Sequence, residues 1–151
     1  MHQISIIKDK IRIMSAILRQ SYLEKIERYL GKDTIIILTG QRRIGKSYIL
    51  RLFRDKVSKN TETNIIFIDK EKHEFDDIKT YRDLNAYIDE RRDKSKTNFI
   101  LVDEIQDIED FEKSVRSYYE EPDVEIVVTG SNSKLLRLSS STMQSFYVMP
   151  T

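Results

Sequence analysis

Residues 40–48 have the side-chain types and the spacing that bind a chain of phosphates. They are Gly40, Gln41, Arg42, Arg43, Ile44, Gly45, Lys46, Ser47 and Tyr48. The first eight match G-x-x-x-x-G-K-[ST], in which backbone N–H groups surround anionic oxygens, the lysine reaches the β- and γ-phosphates and the hydroxyl is placed for Mg²⁺. We therefore predict that all nine residues contact a nucleotide and that Lys46 also acts in catalysis. The alternative is a tight strand-to-helix turn that binds nothing.

Two adjacent acids, Asp103 and Glu104, follow the apolar run 99–102. Phosphoryl transfer needs an acid that holds the metal and a group that orients the acceptor. We predict that Asp103 binds Mg²⁺ and that Glu104 polarises an attacking water, which favours hydrolysis over transfer to another substrate. The alternative is a buried strand that ends in two ordinary surface acids.

Polar residues also end two further apolar runs. Ser131 and Asn132 follow the run 124–129, and either could contact the γ-phosphate and the water. Of the two, Asn132 is the predicted catalytic residue. Capping of the next helix is the competing role of this pair. Asp69 ends another run and is a weaker candidate at the same edge. His73 lies among charged residues, and we predict that it is solvated.

The spacing of apolar residues predicts the elements that position these groups. Strands are expected at 34–39, 64–69, 99–102 and 124–129, with a short fifth at 146–149. Helices are expected between them and before the first strand, at 4–20, 22–30, 47–56, 80–92 and 107–119. The pairs Ser21–Glu24 and Thr80–Asp83 are expected to form capping boxes at the starts of the helices 22–30 and 80–92. Strands that alternate with helices indicate an α/β fold with a mainly parallel sheet of four to five strands. We divide the chain into an N-terminal helical segment (1–30), a core (31–138) and a tail (139–151).

Composition excludes several classes of function. The chain has 151 residues and no cysteine, so it has no disulfide framework, thiolate metal site or cysteine nucleophile. Lys and Arg number 26 and Asp and Glu 25, and this balance gives no overall attraction to nucleic acid or to an anionic membrane. We find no signal peptide or membrane span, so the expected compartment is the cytoplasm. No Asn-Lys-x-Asp motif is present, which disfavours a GTPase.

Three segments together resemble the AAA-type ATPase domain of a large bacterial and archaeal family. They are 37–47 with its Arg-Arg pair, the Asp-Glu-Ile-Gln of 103–106, and the Gly-Ser-Asn-Ser of 130–133. The resemblance covers about residues 19 to 138 and implies a P-loop NTPase three-layer sandwich that binds ATP and Mg²⁺. Members of this family usually continue into a winged-helix-like or nuclease-like domain. Their arginine finger has no counterpart here, because no arginine follows Arg137.

These observations predict an ATP-binding domain with Mg²⁺-dependent ATP hydrolysis that is coupled to an unidentified process. The alternative function is a nucleotide-binding switch or interaction module with little turnover of its own. Association of several copies is compatible with the resemblance, since AAA-type sites often lie between subunits. Contact with DNA is expected only through regions that this sequence does not contain.

Overall fold

A computed structural model of the chain describes residues 2–40, 45–131, 135, 138 and 146–150, the last five by their backbone alone. The helices are α1 (His2–Tyr29), α2 (Lys46–Val57), α3 (Tyr81–Arg91) and α4 (Phe111–Tyr118). The strands are β1 (Ile35–Thr39), β2 (Thr63–Asp69), β3 (Thr97–Asp103), β4 (Val124–Gly130) and β5 (Phe146–Pro150). Short 3₁₀ turns occupy His73–Phe75 and Ile105–Asp107. The α/β class predicted from the alternation of strands and helices is confirmed.

The five strands form one parallel sheet in the order β2-β3-β4-β1-β5. Strand β4 therefore lies between β1, which leads into the phosphate-binding loop, and β3, which carries the acidic pair. All carboxyl ends of parallel strands point to the same edge, and ligands of open α/β sheets bind at such an edge. The topology thus brings the carboxyl ends of β1, β3 and β4 to one place.

Both faces of the sheet are covered by helices. Along β1, Ile35 and Ile37 belong to the core that includes Leu84 of α3 and Phe111 of α4. The alternate residues of the same strand belong to a second core, which includes Leu23 and Ile26 of α1 and Leu50 and Phe53 of α2. Successive strand side chains point to opposite faces, so a strand that is covered on both faces is apolar throughout. This explains the uninterrupted Ile-Ile-Ile-Leu run.

One continuous N-terminal helix replaces the two that the sequence predicts. Ser21 and Glu24 were expected to cap a new helix, but both lie inside α1. No glycine or proline lies within residues 2–29, and a break there would leave backbone N–H and C=O groups unpaired. Only Leu23 and Ile26 of α1 are buried, while residues 2–14 are exposed throughout. Within the described ranges, no helix combines the length and apolar content that a membrane crossing requires.

The helix predicted over 107–119 is shorter than expected. Asp110 adopts φ 56°, in the left-handed region, and α4 begins only at Phe111. The preceding residues 105–107 form the separate 3₁₀ turn, and Ile108 is extended. This division fixes the backbone directly after the acidic pair. The Thr80–Asp83 capping box, in contrast, forms at the start of α3 as predicted.

Candidate functional site

Helix α2 begins at Lys46, shortly after β1 ends at Thr39. Gly45 caps the helix with φ 77°, and its carbonyl accepts the first helical bond, from the Ile49 N–H at 2.9 Å. Gly45 has no side chain that could cap the helix, and no acid lies in the first turn. The first N–H groups of an α-helix have no partner within the helix, and the helix dipole adds positive potential there. This end of α2 is therefore suited to an anion.

Lys46 is the buried cation of the site. Its side chain is 3% exposed, and Nζ donates to the Gly130 carbonyl oxygen at 3.1 Å. The same Nζ lies 3.6 Å from Oε1 of Glu104. Lys46 thus joins the start of α2 to the ends of β4 and β3. A lysine is rarely buried to this extent unless it is paired, and here two acceptors share its charge.

Glu104 is held by its backbone and by both carboxylate oxygens. Its φ of 56° and ψ of 51° lie in the left-handed region, a conformation that residues other than glycine, asparagine and aspartate seldom adopt. Its N–H donates to Oγ1 of Thr129 at 3.0 Å, and its Oε2 accepts a hydrogen bond from Nε2 of Gln106. Such a backbone conformation persists only where the surroundings enforce it, and it is concentrated at functional sites.

Asp103 lies beside Glu104 at the end of β3 and is 1% exposed. Burial raises the pKa of its carboxyl, and the nearby charges of Asp69 and Glu104 add to the rise. Hydrogen bonds from the hydroxyls of Thr129 and Ser47 act in the opposite direction on this pKa. A cation at this position would offset the electrostatic repulsion between Asp103 and the carboxylates of Asp69 and Glu104.

The donor set around Asp103 fits a hard divalent cation. It offers one carboxylate and the Ser47 hydroxyl, both oxygen ligands of the kind that Mg²⁺ prefers. In the part of the chain that the structure describes, no group of three or more His, Asp and Glu side chains is close enough to hold a metal alone. Mg²⁺ ordinarily keeps water and substrate phosphate oxygens as its remaining ligands, so two protein ligands are sufficient.

The other predicted residues occupy several different positions. Asp69 is buried opposite Asp103 in the β2–β3 register, and its Oδ1 accepts from the Glu71 N–H at 3.0 Å. His73 is exposed, as expected of a solvated histidine. Ser131 is half-buried, and its carbonyl accepts from the Leu135 N–H at 3.1 Å. The predicted residues Gln41, Arg42, Arg43, Ile44 and Asn132 lie outside the described residues.

Tyr48 contacts α1. Its side chain is exposed, and the Arg19 guanidinium of α1 lies 4.7 Å from the centre of its ring. These two residues line a groove between α1 and the start of α2, which also includes Tyr22 and Gly45. Tyr48 therefore adjoins the phosphate-binding loop from the α1 side. Arg19 was not among the predicted site residues.

The sequence prediction also missed Gln106, Thr129 and Gly130 as site residues. Thr129 is fully buried and its hydroxyl links Asp103 to the Glu104 backbone, as donor to Oδ1 of the first and acceptor from the N–H of the second. Gly130 and Gln106 are in close contact: a Cβ at residue 130 would fall well inside the contact distance of Gln106 Oε1. Their positions in the sequence could have identified them, because all three lie within or beside the motifs at the strand ends.

Comparison with known proteins gives matches of three kinds. A family model described as an AAA domain matches residues 32–148. An uncharacterized protein of Haemophilus influenzae is 32% identical over 130 residues. That match covers 84% of this chain and 32% of the other, so the chain spans about a third of the length of this relative.

Two solved structures have a similar fold at low sequence identity. A DNA polymerase III gamma subunit-related protein of Thermotoga maritima superimposes with a TM-score of 0.58 at 15% identity. The alignment covers 88% of this chain and 45% of that one. A structure of Drosophila ORC bound to AT-rich DNA and Cdc6 gives a TM-score of 0.56 at 13% identity, over 87% of this chain and 53% of the other.

Proposed function

The chain belongs to the AAA domain family, and on that premise we propose that it binds ATP with Mg²⁺ and hydrolyses the γ-phosphate bond. The observation that carries the proposal is the position of Lys46. Its Nζ donates to the Gly130 carbonyl and lies 3.6 Å from Glu104 Oε1, while Lys46 itself is the first residue of α2. A cation at the start of a helix, with an acid pair beside it, matches the needs of phosphoryl transfer to water.

Each residue has a separate proposed task. The N–H groups at the start of α2 and Lys46 bind the phosphate oxygens, and Ser47 and Asp103 hold the metal ion. Mg²⁺ supplies neutralisation of the charge that develops on the β- and γ-phosphate oxygens. Glu104 accepts a hydrogen bond from a water molecule and orients its oxygen towards the γ-phosphorus. The bond from this oxygen to phosphorus forms while the bond to the bridging oxygen of ADP breaks, and the proton that the water loses passes to Glu104.

Association between copies of the chain is part of the proposal, because AAA-type sites often lie between subunits. We propose that a neighbouring copy contributes side chains that complete the site. The turnover rate per chain should then rise with protein concentration, whereas a self-sufficient site would give a constant rate.

Measurements of ATP affinity and of turnover test the assignment when they are made together on two variants. Glu104→Gln should bind ATP at least as well as the parent and should lose about 10²-fold or more in kcat, the usual contribution of a positioned acid–base group. Lys46→Ala should lose at least tenfold in ATP affinity, because charge-assisted bonds to phosphate are lost. A Glu104→Gln variant with the parent kcat would overturn the catalytic assignment.

A nucleotide-dependent switch is the second candidate function. It is favoured by the contacts of Glu104, whose two carboxylate oxygens are already engaged by Lys46 and Gln106. In a switch, ATP would bind and rearrange these contacts with little hydrolysis. Parent protein that binds Mg²⁺–ATP but shows no turnover above background at any protein concentration would select this function over the enzyme.

A further inference from the structure

The side chain of Gln106 bends back from the 3₁₀ turn over the acid that precedes it. Its Nε2 donates to Oε2 of Glu104. The turn itself is fixed by two backbone bonds, from the Asp107 N–H to the Glu104 carbonyl at 3.1 Å and from the Ile108 N–H to the Ile105 carbonyl at 3.0 Å. Ile105 is buried beneath it. Gln106 is thus anchored on a turn that cannot shift without moving Glu104.

The orientation of the Gln106 amide follows from chemistry. A carboxylate only accepts hydrogen bonds, so the NH₂ group must face Glu104 and the Oε1 atom must face the other way. Oε1 is buried and has no hydrogen-bond partner among the described residues. It lies against the backbone of Gly130, the residue whose carbonyl accepts from Lys46. The bond to Glu104 is therefore the polar contact that keeps this amide in place. It holds although Oε1, a buried acceptor, is left without a partner, which is unfavourable.

We propose that Gln106 is a positioning residue that holds the Glu104 carboxylate in its working orientation during ATP hydrolysis. This inference rests on the proposed function. In the structure the carboxylate is held at Oε1 by Lys46 and at Oε2 by Gln106. When Lys46 turns to the phosphates its contact with Glu104 is lost, and the Gln106 bond remains. Gln106 then fixes the direction in which Glu104 presents its free oxygen to water.

The assignment predicts a split between binding and turnover. Within residues 45–131, Gln106 contacts Glu104 and Gly130, neither of which is proposed to bind phosphate, so Gln106→Ala should leave the Kd for Mg²⁺–ATP within about twofold of the parent. The kcat should fall about tenfold or more, as is typical when a partner that orients an active-site group is removed. Gln106→Glu should lower kcat further, because two adjacent carboxylates repel each other. Gln106→Asn, which keeps the amide, should retain more activity than Gln106→Ala.

The experiment is a double-mutant cycle on kcat with Glu104→Gln. If Gln106 acts through Glu104, then Gln106→Ala should change the residual kcat by less than about twofold in the Glu104→Gln background. Asp107→Asn alters an exposed side chain of the same turn and serves as the matched control, with the parent kcat expected. Equal losses in both backgrounds, or a loss of ATP affinity that parallels the loss of kcat, would show a merely structural role and overturn the proposal.

A structure of the parent chain with Mg²⁺ and a non-hydrolysable ATP analogue gives a readout that does not depend on turnover. The bond from Gln106 Nε2 to Glu104 Oε2 should persist while Lys46 contacts the analogue. If Gln106 no longer bonds to Glu104 in that complex, the positioning role is overturned while the proposed ATPase function stands. Failure of the parent to hydrolyse ATP overturns the enzymatic function instead, so the two failures are distinguishable.

Discussion

Lys46 and Glu104 form a buried ion pair in which Nζ lies 3.6 Å from Oε1 and the two side chains expose only 3% and 8% of their surface. The lysine proposed to bind phosphate and the acid proposed to orient water are thus paired with each other. Under the proposed function, phosphates would compete with Glu104 for Lys46. Separation of this pair would then reduce the net binding energy of ATP.

This competition predicts that Glu104→Gln binds ATP several-fold more tightly than the parent. The substitution removes the competing carboxylate and a negative charge close to the γ-phosphate, while it keeps the shape of the side chain. Titration calorimetry with Mg²⁺–ATP measures the effect. Glu109→Gln neutralises a nearby exposed acid and is the control, with an affinity within twofold of the parent. Weaker binding by Glu104→Gln would contradict competition for Lys46.

The fold was largely predictable because it depends on repeated local patterns. The sequence predicts a strand over 34–39, and β1 occupies Ile35–Thr39 and is buried throughout. In the sheet, β4 lies between the loop strand β1 and the acidic strand β3. The Thr80–Asp83 pair predicts the start of α3 because capping depends on residues three apart in the chain.

The parts that were not predictable depend on tertiary contacts. The left-handed backbone of Glu104 is locally unfavourable. Contacts with Thr129 and Gln106, which are distant or unpredictable in sequence, stabilise it. The same holds for Ser21, whose capping pattern is overridden because α1 continues to pack against the sheet through Leu23 and Ile26. Sequence patterns place residues at an edge, but they do not give the hydrogen bonds that orient them there.

Gly130→Ala should destabilise the protein through a specific clash. The added Cβ would overlap Gln106 Oε1 and would lie 3.0 Å from Leu135 Cδ1. Overpacking of this kind costs about 1–3 kcal/mol, and urea unfolding without nucleotide measures it. Gly31→Ala is the matched control, since nothing lies within 4 Å of its Cβ and only its φ of 73° is unfavourable. Its cost should be about 1 kcal/mol, and an equal or larger loss at Gly31 would speak against the clash.

The two halves of α1 should contribute very differently to stability. Ile26 is fully buried in the core shared with α2, so Ile26→Ala should cost about 3 kcal/mol in the free energy of unfolding. Ile11 is 57% exposed on the same helix, so Ile11→Ala should change that energy by less than about 0.5 kcal/mol. Thermal or urea unfolding of both variants is the measurement. A large loss for Ile11→Ala would show that the exposed half of α1 is buried in solution.

At the opposite edge of the sheet, Arg92 should stabilise the fold in a pH-dependent way. Its Nε and Nη2 donate to the Asp123 carboxylate, with Nε 2.8 Å from Oδ2, and Nη2 also lies 3.0 Å from Glu121 Oε2. The Arg92 side chain is 11% exposed. Removal of such charge-assisted bonds by Arg92→Ala should cost about 2 kcal/mol at pH 7. Arg91→Ala on the adjacent, exposed position is the matched control and should cost less than about 1 kcal/mol.

The sign of the pH effect follows from the carboxylate. Hydrogen bonding to the Arg92 guanidinium holds the pKa of Asp123 below its usual 3.8. A lowered pKa in the folded state stabilises the fold fully above 3.8, and this contribution disappears as the pH falls through the folded-state pKa. The difference in unfolding free energy between parent and Arg92→Ala should therefore be constant from about pH 7 to 5 and should shrink below about pH 4. Urea unfolding across this range measures it, and a difference that grows towards low pH would rule out the Asp123 contact as its source.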